Sequence, residues 1–214
     1  MNKLFSVLGC TGNASSTFFI SSAFVLLLLW NGHSVASSGL AEYDQPWEIC
    51  ALCHSLDGNS RMAKFPKLAG QRKAYIEKQL VDFLHARRRN DGGQMSSIVT
   101  EVDPVVFSQI AQWFSSQEPP EPEEVDPFDI AAGKDLFLKG GCGSCHVNGP
   151  STPSLSHVPL LSSQHAAYLA KQLKDFQIGQ RVHTDDPLVS DAILALSQPE
   201  VLSISAYLAA TPRR

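Results

Sequence analysis

Cys50-Ala51-Leu52-Cys53-His54 and Cys142-Gly143-Ser144-Cys145-His146 are two copies of the pattern Cys-x-x-Cys-His. The pattern is the attachment signature of a c-type haem. Thiols three residues apart share one helical turn and can form thioethers to the two vinyl groups of one haem. The adjacent histidine then lies beneath the iron as its proximal ligand. One Cys-x-x-Cys alone would also suit zinc or a thioredoxin-type redox pair. Two copies, each followed by His, point instead to two covalently bound haem c groups. Cys50, Cys53, Cys142 and Cys145 are the attachment candidates, and His54 and His146 the proximal ligands. The remaining cysteine is Cys10, so a zinc site would find no further thiol pair.

Outward from the motifs the chain repeats itself. Leu68-Ala69-Gly70-Gln71 matches Leu161-Ser162-Ser163-Gln164 at an offset of 93 residues. At the same offset Ala74-Tyr75 matches Ala167-Tyr168, Lys78-Gln79-Leu80 matches Lys171-Gln172-Leu173, Asp82-Phe83 matches Asp175-Phe176, and Arg88 matches Arg181. A repeat of this length means two similar small domains rather than a solenoid. Charge marks the boundary between them. Residues 41–117 hold nine acidic and nine basic side chains, and residues 130–214 hold six and seven. Residues 118–129 (EPPEPEEVDPFD) hold six acidic side chains and none basic. Pro119, Pro120, Pro122 and Pro127 keep this stretch extended. We expect domains over 41–117 and 130–214, joined by a Pro/Glu-rich hinge over 118–129.

The N-terminus reads as an export signal. Lys3 is the sole charged residue among the first 41, and Phe18–Trp30 is an uncharged run of 13. That is short for a membrane span of about 20 residues and suits a signal core of about 7–15. Ser34-Val35-Ala36 supplies a small-x-small cleavage site, so residues 1–36 are expected to leave together with Cys10. Cleavage would leave a periplasmic protein, and an uncleaved segment would tether it to a membrane. The whole chain has 214 residues, a net charge of −4 and 43% hydrophobic residues. This composition supports a packed core and argues against a nucleic-acid partner.

The secondary structure reads as all-α, with no β alternation. Gln71–Arg87 places Tyr75, Gln79, Leu80 and Phe83 near one helical face, and Tyr168, Leu169, Leu173 and Phe176 repeat the pattern. Asp103-Pro104 starts a further helix running to about Gln117, and Gln198-Pro199 starts its counterpart, which ends before Pro212. Pro66 follows His54 by 12 residues and Pro159 follows His146 by 13. Either these are plain loop prolines, or each loop wraps the proximal side and lends a backbone carbonyl to the histidine Nδ1–H.

Taken together, the two motifs, the Phe65-Pro66-Lys67-Leu68-Ala69-Gly70-Gln71 segment, the Tyr75…Gln79-Leu80…Phe83 helix and Arg88…Asn90-Asp91…Met95 resemble the di-haem cytochrome c family of the c4 type. The resemblance covers about residues 41–210. It implies two tandem class I cytochrome c domains and electron transfer between redox proteins, such as a terminal oxidase or a dehydrogenase. It also implies a sixth iron ligand from a methionine after the Tyr/Gln/Phe helix, a place filled here by Met95. The bland alternative for Met95 is core filling. Met62 reads as a packing residue. Of Arg87-Arg88-Arg89, one arginine is expected to serve a haem propionate and the others to be solvated.

The second repeat departs from the family. Leu188 or Val189 stands where Met95 does, and no methionine follows Met95. His157 lies on the expected proximal side, and His165, where the family often has a non-ligand histidine, reads as a surface or cap residue. His183 is the candidate sixth ligand, and the alternative is an iron that keeps water or an open position. The leading expectation is an electron carrier rather than an enzyme. The alternative is a peroxidase-like di-haem enzyme using an open second haem, and a haem-based sensor ranks last.

Overall fold

Helix α2 (Lys73–Leu84) turns Ile76, Leu80 and Phe83 inward at i, i+4 and i+7. Its counterpart α6 (Ala166–Gln177) turns Leu169 inward at the position matching Ile76. Helix α2 is shorter than the Gln71–Arg87 stretch that suggested it, while α6 covers every residue named for it. The chain enters each from an extended residue, Arg72 or His165, and leaves α2 at His85 once the apolar spacing ends. The computed structural model describes residues 43–146, 156–182 and 187–213. The expected signal segment and His183 lie outside them. Among the described residues there is no strand, as the all-α reading requires.

Around α2 the first half is built from α1 (Glu48–His54), α3 (Gln94–Thr100) and α4 (Phe107–Ser115). A 3₁₀ turn, Pro104–Val106, leads into α4, and the Asp103 carboxylate caps it by accepting the Val105 N–H at 3.0 Å. Phe107, Ile110, Ala111 and Phe114 then line one face of α4 and pack with Leu80, Phe83 and Val99 into a core. Trp47 and Trp113 stack beside it, ring centroids 4.3 Å apart.

The second half consists of α5 (Pro127–Lys139), a 3₁₀ turn at Cys142–Ser144, α6, α7 (Pro187–Leu194) and α8 (Gln198–Ala210). Ser197 and Glu200 form a capping box at the start of α8. Helices α5 and α8 cross so closely that a Cβ on Gly133 would lie 1.9 Å from the Ser203 carbonyl oxygen. Phe137 and Tyr207 pack beside this crossing, centroids 5.7 Å apart.

Contacts join residues 41–214 into one compact unit. The proline-rich stretch between the halves is docked rather than free. Pro120 is buried, and the Glu123 N–H donates to the Ala209 carbonyl at 2.9 Å. The Asn59 amide reaches the Glu118 carbonyl at 3.4 Å. Proline stiffness sets the extended path, and hydrogen bonds to both halves fix it in place.

Candidate haem sites and the interface between them

The first site starts on α1, where Cys50 and Cys53 lie one helical turn apart. Neither is in a disulfide, nor are Cys142 and Cys145 in the second half. Burial pushes the Cys50 thiol up to about 11 and raises Cys142 as well. Among the described residues no group of three or more His, Cys, Asp or Glu side chains is placed to hold a metal ion.

His54 is buried, and its Nδ1 lies 2.9 Å from the Pro66 carbonyl oxygen. His146 Nδ1 lies 2.9 Å from the Pro159 carbonyl oxygen. A carbonyl can only accept, so Nδ1 carries the proton in both rings and, in the neutral form, Nε2 keeps its lone pair. Burial lowers both histidines below their ordinary value, opposed by these carbonyl bonds and aided by Arg88 at His54 and Arg72 at His146. Each ring is thus neutral, fixed in tautomer and orientation, with one nitrogen available to a metal. Both prolines do what the wrapping-loop alternative proposed for them.

Gly58 makes the first proximal loop possible. Its φ of +73° is left-handed, and its carbonyl accepts the Leu68 and Ala69 N–H groups at 2.7 and 3.1 Å. A Cβ there would lie 2.8 Å from the Ala69 nitrogen. Met95 is half-buried against the first core. Met62 is 53% exposed, which corrects the packing role expected of it.

Between the halves lies a set of contacts in which each residue of one repeat meets the partner of its own equivalent. The Gln71 side-chain amide donates to the Leu160 carbonyl and accepts the Leu160 N–H, both at 2.8 Å. Gln164, its equivalent, does the same to Lys67, at 2.9 and 2.8 Å. Arg88 donates to the Tyr168 hydroxyl at 2.9 Å, and Arg181 to the Tyr75 hydroxyl at 3.2 Å. Both arginines also bond Gln79 and Gln172. This is the isologous pattern of a twofold interface, realised here within one chain.

The arginine pair bears on whether haem fits. Arg88 and Arg181 are partly buried side by side with tyrosines and glutamines, and their hydrogen bonds among the described residues go to neutral groups. Burial raises the Tyr75 hydroxyl, yet the two arginines outweigh it and hold the group below its ordinary value. A surplus of positive charge at this depth suits the carboxylates of two haem groups. Of the arginine run, Arg88 turns inward, Arg87 pairs with Asp82 at 2.9 Å, and Arg89 bonds the Ala86 carbonyl at the surface.

Four interface residues were missed or misjudged from sequence. Gln71 and Gln164 recur at the repeat offset, and that recurrence is the signal that would have found them. Arg213 gave no signal. Its guanidinium is buried and donates to the Ser162 and Ala69 carbonyls at 2.9 and 2.6 Å. Burial without a carboxylate lowers it to about 10. His165 is 7% exposed, not a surface residue; it holds the N-cap position of α6, as the cap alternative expected, but its side chain makes no capping bond there. Glu123 takes the capping role, accepting the Ala166 N–H at 3.1 Å.

No family model matches the chain. Cytochrome c4 of Pseudomonas aeruginosa is 32% identical to it, over 87% of this chain and 95% of that protein. Cytochrome c4 of Azotobacter vinelandii is 31% identical, over 88% and 98%. The crystal structure of reduced cytochrome c4 from Pseudomonas stutzeri superposes with a TM-score of 0.65 at 32% identity, covering 76% of this chain and 93% of the other. A more distant relative, 29% identical over 87% of this chain and 92% of its own length, is the thiosulfate dehydrogenase electron acceptor of Stutzerimonas stutzeri.

Proposed function

The chain belongs to the cytochrome c4 family, di-haem electron carriers with two covalently bound haem c groups, and from that premise we propose how its own residues hold and tune them. Cys50 and Cys53 hold one haem, and Cys142 and Cys145 the other. His54 and His146 present Nε2 to the irons. The observation that carries this assignment is the repeated Nδ1–H to proline carbonyl bond, 2.9 Å in both halves. It fixes each ring and strengthens it as a donor. When bound, the haems supply one-electron exchange at iron.

Met95 is the sixth ligand of the first haem, supported by its family position and its place against the core. The second haem has no methionine to call on, because none follows Met95. Either His183 takes the position or the iron keeps an open one. A thioether ligand favours the reduced iron, so the first site should be the higher in potential. Arg88 and Arg181 counter the carboxylates of the two groups. The proposed setting is the periplasm, supported by the signal-like residues 1–36. No described helix is long and apolar enough to cross a membrane. The proposed partners are redox proteins, with a dehydrogenase as donor or a terminal oxidase as acceptor. A dehydrogenase donor is in keeping with the relative named as the electron acceptor of thiosulfate dehydrogenase.

The missing second methionine is the one observation that favours a peroxidase-like enzyme as a second reading. Carbon monoxide added to the dithionite-reduced protein separates the two. A carrier with both irons closed should show no spectral change on mixing. Binding of one carbon monoxide per chain, with peroxide turnover, would replace the carrier by the enzyme.

A further inference from the structure

His165 stands where three segments meet, and both of its ring nitrogens are engaged. Nδ1 lies 2.6 Å from Glu123 Oε1 on the stretch between the halves. Nε2 lies 2.8 Å from the Ser60 carbonyl oxygen in the first half. A carbonyl oxygen has no proton to give, and an ionised carboxylate has none either. A neutral imidazole has one N–H and one lone pair, so it can satisfy just one of these acceptors. The arrangement is complete only when the ring carries both protons.

The repeat supports this from a second direction. The residue 93 positions earlier is Arg72, a permanent cation. Arg72 also precedes its helix, and it also donates across the interface, to the Val158 carbonyl at 2.9 Å. In the first repeat the position is therefore served by a cation donating to a backbone carbonyl of the other half. His165 does the same work through its two ring nitrogens.

The charged groups facing the ring are Glu123 and, behind it, Lys67, whose Nζ lies 3.5 Å from the same Oε1. The start of α6 is unfavourable for a positive charge by itself, since helix N-termini carry partial positive charge. Glu123 offsets both, with one oxygen on the imidazole and the other on the Ala166 N–H.

We propose that His165 is a positioning residue that works as an imidazolium, tying the first half and the intervening stretch to the start of α6 through its two ring N–H groups. A side chain with one N–H fewer leaves one tie unmade and loosens the interface. This goes beyond the assignment of iron ligands and does not depend on which group completes the second site.

Two readings of one sample test it, the haem-loaded, reduced protein labelled with ¹⁵N. At pH 6 the His165 ring nitrogens should both show the shifts of protonated nitrogen. At the same pH, exchange of the Ala166 amide should be slow in the wild type and in the His165→Arg variant, which keeps a cation, and faster in His165→Gln by roughly tenfold or more, the weight of a hydrogen bond to a charged group. A ring with one unprotonated nitrogen at pH 6 overturns the proposal, and so does a glutamine variant that exchanges as slowly as the wild type. The ring shifts need no variant, so a substitution that fails to fold leaves the first test standing.

Discussion

Replacing Gln71 by alanine isolates what the paired glutamines contribute. Gln71 is 4% exposed and Leu160 is 7% exposed, and the amide serves both the N–H and the carbonyl of Leu160 at 2.8 Å. Alanine removes both bonds and leaves two buried backbone groups without partners. Each such group costs about 1–3 kcal/mol. Partial entry of water into the space of the lost side chain places the total nearer about 2–4 kcal/mol. In a unit of this size, 1 kcal/mol corresponds to about 2–4 °C in melting temperature, so a fall of roughly 5–15 °C is expected. Gln164→Ala should match it, because the Lys67 backbone is served in the same way at 2.9 and 2.8 Å. The double variant should lose less than the sum, since both amides close one interface and contacting sites couple. Guanidinium unfolding of the haem-loaded protein, followed by far-ultraviolet circular dichroism, measures all three. A cost below about 0.5 kcal/mol for Gln71→Ala, in the range of ordinary surface changes, would refute the argument that these bonds hold the halves together.

Gly133→Ala should destabilise the second half by about 1–3 kcal/mol or more, because a Cβ at 1.9 Å from the Ser203 carbonyl meets backbone that cannot swing aside. Thermal melts of this variant beside Gly92→Ala, where a Cβ meets no neighbour, check it after allowing for the left-handed φ of Gly92. Met95→Leu should abolish the thioether–iron charge-transfer band and lower one of two potentials by about 0.1 V or more, within the span that axial ligands command. Spectroelectrochemical titration reads both, and an unchanged band would make Met95 a packing residue. Burial raises the Glu123 carboxyl, but the Ala166 N–H, His165 and Lys67 outweigh it and hold the group below its ordinary 4.5. A depressed carboxylate adds stability that is complete above that ordinary value and drains away as pH falls through the folded one. Glu123→Gln should therefore flatten the acid limb of a stability–pH curve below about pH 4.5, and an acid limb as steep as in the wild type would show that the carboxylate is not engaged.

The sequence by itself determined whatever depends on neighbours a few residues apart. The two Cys-x-x-Cys-His motifs, the Asp103-Pro104 cap and the apolar spacing of α2 and α4 are local patterns, and each appears where the spacing put it. The repeat offset also announced two similar halves. It could not say that Gln71 would reach Leu160 rather than its own loop, because that bond joins residues 89 positions apart. Composition marked an extended acidic stretch over 118–129, since proline favours extension. The tertiary structure decided what that stretch touches, because Ala209, Asn59 and the start of α6 each supply it with a hydrogen-bonding partner. His165 and Arg213 show the same limit. A histidine or a terminal arginine is exposed by default, and these two are buried because carbonyl oxygens up to 144 residues distant in the chain converge on them. Burial of a charged donor is settled by the acceptors that folding brings to it, and those acceptors are backbone groups that leave no mark in the identity of their residues.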